Sequence, residues 1–393
     1  MTETTSPTAF QYVAAELRLH CGPDSLDALA RELQRHGCRR AVVVTGRSVG
    51  NSEAMQSLRG ALDRTLVGES ADVRPNSPVS SVDKVARLLA ECEADAVIAI
   101  GGGSAAVTAR AASILLAEGK TAQALSTRRH PDGRFESPRL AAPKIAQFVV
   151  PTTPSTAFVK AGSAVHDDAT SQRLALFDPK TRAKALFLHP AFLRTAPDAL
   201  VRSAALNTLS TAIEALESPR CDPLSESMLV HALRLVAQHL NALSPDHEAA
   251  RQALVVAGVL CGRGTEAAGG GLASVLAHAI GHRAHAANGI VNAIVLPHTM
   301  RFNAPATATT SQRILGALAP HTTVQKAHTG QAVAALQDLL AGARIPRQLR
   351  EIGVQESDLG PIAHAAMADW FIGRSARRVA DADEVLKILR AAL

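Results

Sequence analysis

From Ala96 to Glu118 the sequence runs AVIAI, then GGGS, then AAVTARAASILLAE. An apolar run without alternation belongs to a strand buried on both faces, and three residues lacking Cβ let the chain turn at once into a helix. This order demands an α/β layer structure with a parallel sheet, because crossover helices are what cover both faces of such a strand. The same glycines bring the N–H groups of a helix N-terminus within reach of a pyrophosphate, with Ser104 as cap or further donor. A tight strand-to-helix turn needs the same residues with no ligand at all, so the motif alone leaves both readings open.

The pattern around it repeats. Leu26, Leu29, Ala30 and Leu33 mark a helical face before the apolar strand Ala41–Thr45, and Val82, Val85, Leu88 and Leu89 mark another before Ala96. A third apolar strand, Ile145 to Val150, ends at Pro151, and the stretch from Gly119 to Pro143 reads as an exposed loop or hairpin. Beyond Pro197 alanine and leucine recur at spacings of three and four, with breaks at Pro219, Pro223, Pro245 and Pro305, which predicts an all-helical half. Residues 1–195 are therefore expected to form a Rossmann-like domain and residues 196–393 a helical one.

Composition narrows the partners. With 47 % hydrophobic and 19 % charged residues the chain is too apolar for disorder, and no apolar run reaches the length of a membrane span. The net charge of +6 is spread among acids in runs of no more than two basic residues, and nine Phe, one Tyr and one Trp leave little to stack on bases. These features argue against nucleic acid and for a small anionic ligand. Five widely spaced cysteines without a CxxC pair, and a polar N-terminus without a secretory pattern, predict reduced thiols in the cytoplasm.

The string from Val73 to Ala109, VRPNSPVSSVDKVARLLAECEADAVIAIGGGSAAVTA, closely resembles the iron-containing alcohol dehydrogenases, a group that includes maleylacetate reductases and is related to dehydroquinate synthases. AVVVTG at Ala41–Gly46, VVPTT at Val149–Thr153, TAIEAL at Thr211–Leu216, AHAIG at Ala277–Gly281 and NAIVLPHTMRFN at Asn292–Asn303 agree in order. The resemblance implies a dinucleotide-binding α/β domain, a helical domain, an active site in the cleft between them and a homodimer. It places Gly102, Gly103 and Ser104 on the pyrophosphate and Thr152 and Thr153 in a second cofactor loop. Relatives that prefer NAD often carry Asp after the first strand. Here Gly46, Arg47 and Ser48 stand there, which permits NADP as well as NAD, although a plain surface arginine reads equally well.

The resemblance also exposes departures. Metal-dependent relatives hold a divalent ion with Asp and His four residues apart and two further His fourteen apart; the matching positions here are Asn207, Thr211, Ser274 and Asn288. Amides and hydroxyls do not replace imidazole and carboxylate for iron or zinc, so no metal is expected. The maleylacetate reductase branch carries Asn at the first of these positions, as here, but keeps histidines at the other three. His278 matches a non-ligand active-site histidine and is the candidate general acid, with Asn207, Thr211 and Asn288 as further catalytic donors. His278, His282 and His285 lie at i, i+4 and i+7, the spacing of a relocated metal site. Gly281 is expected to interrupt that helix, which favours plain polar histidines. In the second loop PTTPSTAFVK replaces the family's PTTxGTGSE, making Phe158 and Lys160, with Ser274, candidate substrate contacts.

Two functions follow. The first is a metal-independent NAD(P)H-dependent oxidoreductase resembling maleylacetate reductase, reducing a small unsaturated or oxo carboxylate. The second is a non-redox cyclase, lyase or hydrolase on the same scaffold.

Overall fold

A computed structural model describes residues 10–130, 134–170, 172–244, 246–284, 286–322, 327–369 and 371–393. They fall into two compact units, Ala14–Pro197 and a second made of Asp198–Leu393 together with residues 10–13.

In the first unit β1 (Arg18–Cys21) leads through α1 (Ser25–Arg35) to β2 (Ala41–Thr45), followed by α2 (Arg47–Gly50), α3 (Ala54–Leu62) and β3 (Leu66–Ser70). Then come α4 (Val79–Glu91), β4 (Ala96–Gly101), α5 (Gly103–Glu118) and α6 (Ala122–Leu125). Short antiparallel pairs follow, β5 (Arg128–Arg129) with β6 (Phe135–Glu136), and, after β7 (Ala146–Pro151), β8 (Gly162–His166) with β9 (Arg173–Phe177). The unit ends with β10 (Ala185–Leu188) and α7 (Pro190–Leu193). The main sheet is six-stranded and parallel in the order β1-β10-β7-β4-β2-β3.

Every residue of β2 and β4 is buried, as their unbroken apolar sequences require. Leu26, Leu29 and Leu33 of α1 and Met55, Leu58 and Leu62 of α3 share one core cluster with Val43, Ile98, Ile100, Phe148 and Val150. The alternate strand residues Val42, Val44, Val97, Ala99 and Val149 are equally buried. From β2 the chain moves on to β3 at the sheet edge, whereas from β4 it moves to β7 on the opposite side. The strand order thus reverses between β2 and β4, and the carboxyl ends of these two strands carry Gly46–Arg47 and Gly101–Ser104. That is the place where open α/β sheets bind ligands.

The second unit is helical: α8 (Asp198–Glu217), α9 (Pro223–His239), α10 (Glu248–Ala268), α11 (Leu272–Ala284), α12 (Asn288–Asn303), α13 (Thr310–Leu318), α14 (Thr329–Gly342), α15 (Glu356–Met367) and α16 (Ala382–Ala392). Pro223 begins α9 rather than breaking it, because Asp222 accepts from the Leu224 and Ser225 amides at 3.0 Å and proline suits the first helical position. Gly281 does not interrupt α11 as expected. A Cβ there would stand 2.8 Å from Asn288 Oδ1 and 3.2 Å from the Ala286 carbonyl, so the glycine serves a close approach inside a continuing helix. No helix is long and apolar enough to cross a membrane among the described residues, and the five cysteines form no disulfide.

Candidate active site

The first polar cluster lies at the switch point of the α/β unit. Gly101 has φ +143°, open only to glycine, and Gly102 is the N-cap of α5, where it provides no side chain to cap the first-turn amides. The β4–β7 register runs on to Gly101 opposite Pro151, and the Thr152 amide donates to the Gly101 carbonyl at 3.0 Å. A Cβ on Gly102 would sit 2.7 Å from Thr153 Oγ1, and one on Gly103 2.7 Å from Ser155 Oγ. The two loops expected to hold the cofactor therefore touch, and the glycines are demanded by that contact as well as by any approaching phosphate. Thr152 and Thr153 are buried, and Ser104 is half-buried.

Two residues without an obvious sequence signal fix these loops. Arg110, fully buried in α5, donates to the carbonyls of Ala157 at 2.6 Å and Gly162 at 2.7 Å. Ser77 donates its hydroxyl to the Ser104 carbonyl at 3.1 Å from a strained turn in which Asn76 and Ser77 both have positive φ, 62° and 49°. Phe158, expected at the substrate, has its side chain fully buried in the short turn Thr156–Phe158, while Lys160 is half-buried. Gly46 is paired with Asp72, and Arg47 is exposed at the start of α2.

The second cluster is built by three helices of the other unit. Asn207, Thr211 and Glu214 lie at i, i+4 and i+7 on α8, Ser274 and His278 at i and i+4 on α11, and Asn288 and Asn292 at i and i+4 on α12. Thr211 Oγ1 donates to the Asn207 carbonyl at 2.7 Å, and Asn207 Oδ1 accepts from Asn292 Nδ2 at 2.9 Å. Ser274 donates its hydroxyl to Glu214 Oε2 at 2.5 Å and its amide to Oε1 at 2.9 Å. Asn288 is exposed, with Oδ1 against Gly281. His278 Nδ1 lies 3.0 Å from Asp369 Oδ2, Asp369 Oδ1 accepts the Phe371 amide at 2.8 Å, and the Phe371 ring is tilted 6.1 Å from the imidazole.

Burial raises the pKa of the Glu214 carboxyl, against the opposing hydrogen bonds from Ser274. One turn further along α8, burial pushes Glu217 up to about 8, opposed by its 2.7 Å bond from Asn303 Nδ2 and reinforced by the charge of Glu214. Sequence reasoning brought Asn207, Thr211, Ser274 and His278 to this cluster and missed Glu214 and Asp369. Helical spacing from Asn207 points to Glu214; nothing in the sequence pairs Asp369 with a histidine 91 positions earlier. His285 and the His282 side chain lie outside the described residues, and among the described residues no group of three or more His, Cys, Asp and Glu is placed to hold a metal ion.

A parallel sheet with a glycine turn at its reversal point, in a chain whose second unit is helical, is the architecture of one family of two-part α/β-plus-helical proteins. Residues 17–190 match the iron-containing alcohol dehydrogenases and residues 202–393 match the C-terminal region of the same family, so the chain belongs to that family, whose members are NAD(P)-dependent oxidoreductases. Lactaldehyde reductase of Escherichia coli K12 is 25 % identical over 362 residues, covering 91 % of this chain and 93 % of that one. Maleylacetate reductase 1 of Cupriavidus pinatubonensis is 27 % identical over 357 residues, covering 90 % and 89 %. Among solved structures, alcohol dehydrogenase from Oenococcus oeni superimposes with a TM-score of 0.89 at 20 % identity, covering 98 % of this chain and all of the other. Maleylacetate reductase from Agrobacterium tumefaciens does so with 0.80 at 22 %, covering 98 % and 99 %.

Proposed function

We propose that this protein is an NAD(P)H-dependent reductase that works without a bound metal on a small oxo or unsaturated carboxylate. The observation that carries the reading is how the structure engages the four residues that the resemblance aligns with the metal ligands of relatives. Asn207 accepts from Asn292, Thr211 bonds back to its own helix, Ser274 is held by Glu214, and Asn288 adds an exposed amide. Two amides and two hydroxyls, three of the four engaged by protein partners, do not fit iron or zinc.

The α/β unit suits a dinucleotide. Gly102, Gly103 and Ser104 would lie along the pyrophosphate at the amino end of α5, Thr152 and Thr153 would border it, and the absence of an acid at Gly46 admits either coenzyme. When bound, the nicotinamide supplies the hydride. Polarising the substrate oxygen then falls to hydrogen-bond donors. His278, whose Nδ1 lies 3.0 Å from Asp369 Oδ2, is the group assigned to give a proton to that oxygen as negative charge develops on it. The net charge of +6 favours an acidic substrate, and the family suggests a homodimer in solution.

The packing of Gly102 against Thr153 and of Gly103 against Ser155 favours a second reading, because it would preserve the turn even in a non-redox enzyme. The two separate cleanly. Protein purified with and without chelator is titrated with NADPH and NADH and assayed for their oxidation with small oxo acids, with metal content measured in parallel. The reductase reading expects stoichiometric binding of one coenzyme and turnover unchanged by chelator. Absence of binding, or turnover restored only by added iron or zinc, overturns it.

A further inference from the structure

Resting on the reductase reading, we propose that Arg374 is the anchor for a carboxylate of the substrate, set against the same Phe371 ring that borders His278. Arg374 closes the short turn Ile372–Arg374 directly after Phe371, and its guanidinium carbon is 5.3 Å from the Phe371 centroid. The imidazole of His278 stands 6.1 Å from that centroid, so one aromatic ring has the candidate acid and a guanidinium as neighbours. The guanidinium also lies over Gly269, whose φ is +75°; a Cβ at that position would meet Arg374 Cδ at 3.2 Å as well as the guanidinium itself.

Arg374 is placed but not neutralised. Among the described residues it makes no ion pair. Arg377, three positions on, shows the ordinary arrangement, stacked 4.1 Å over Phe302 and paired with Glu384 at 2.8 Å. Arg374 is exposed by surface area, and partial desolvation first, then the like charge of Arg220, push its pKa down. A guanidinium over an aromatic face, with a like charge acting on it and no counter-ion among the described residues, favours a planar anion that two parallel N–H bonds can grip. A carboxylate supplies that geometry and relieves the repulsion from Arg220.

The test compares succinate with its uncharged isostere succinamide, each titrated into the full-length protein, with NADPH binding recorded separately. The wild type is expected to bind succinate at least tenfold more tightly than succinamide. Arg374→Gln should bring the two within twofold, and Arg374→Lys should fall between. Arg390→Gln removes the same charge from an exposed pair with Glu356 and should leave the preference intact. The proposal is overturned if the wild type shows no preference, if Arg374→Gln keeps it, if Arg390→Gln abolishes it equally, or if inorganic phosphate displaces succinate at matching concentration. Loss of NADPH binding would sink the reductase reading without touching this comparison, and intact NADPH binding with no carboxylate preference would sink only the anchor.

Discussion

Glu214 takes both hydrogen bonds that Ser274 can donate, the hydroxyl at 2.5 Å and the amide at 2.9 Å, so a carboxylate of α8 caps the first turn of α11. The residue that the family resemblance aligns with a metal ligand is bound to the scaffold here. Ser274→Ala should leave part of a buried carboxyl unsatisfied and cost about 1–3 kcal/mol, read from urea denaturation. A variant as stable as wild type would show that the pair does not hold the two helices.

Glu217 gives the fold a dependence on pH with a definite sign. Burial pushes the folded carboxyl up to about 8 from its ordinary 4.5, so the native state holds a proton that the unfolded chain releases between these values. Its contribution is complete below about pH 4.5 and is lost as pH rises through about 8. Glu217→Gln keeps an acceptor for Asn303 and should flatten the fall in Tm across this interval. An unchanged slope in the variant would assign the titration elsewhere.

Gly102→Ala forces a Cβ against Thr153 Oγ1 and should lower both stability and NADPH affinity, the latter by about tenfold or more, roughly the 1.4 kcal/mol that one lost contact represents. Adding Thr153→Ala removes the clash. Recovered stability with binding still weakened is expected if the glycine also admits a phosphate; recovery of both would make loop packing its whole purpose.

His278→Ala should reduce kcat by about 100-fold or more, the usual share of a general acid. Asp369→Asn keeps the shape of the pair but removes its charge, and a smaller fall with a displaced alkaline limb in the pH profile of kcat is expected. Identical profiles for Asp369→Asn and wild type would leave Asp369 with no positioning role.

Phe158→Ala empties a fully buried site and should cost about 3–5 kcal/mol. A surface-like effect, below about 0.5 kcal/mol, would instead return Phe158 to the substrate contacts expected from sequence.

The α/β half was legible because burial on both faces leaves an unmistakable trace: AVVVT, AVIAI and the run ending at Pro151 became β2, β4 and β7. The alanine- and leucine-rich spacing beyond Pro197 likewise announced helices. What stayed hidden depends on contacts between distant residues. A buried arginine looks in sequence like a surface one, so Arg110 gave no hint that it holds two carbonyls across the fold. Gly281 looked like a helix breaker because its reason, Asn288, lies on the next helix. The His278–Asp369 pair joins residues that no periodicity relates.

Arg110 rises from the helix that begins at the glycine turn and holds, by two carbonyls, the chain that follows Thr153. The two loops consequently share one mechanical reference. A shift of α5 at that turn would act on the second loop directly through the Arg110 side chain. Substitutions at Arg110 should therefore be felt as a loss of agreement between loops whose own residues are untouched.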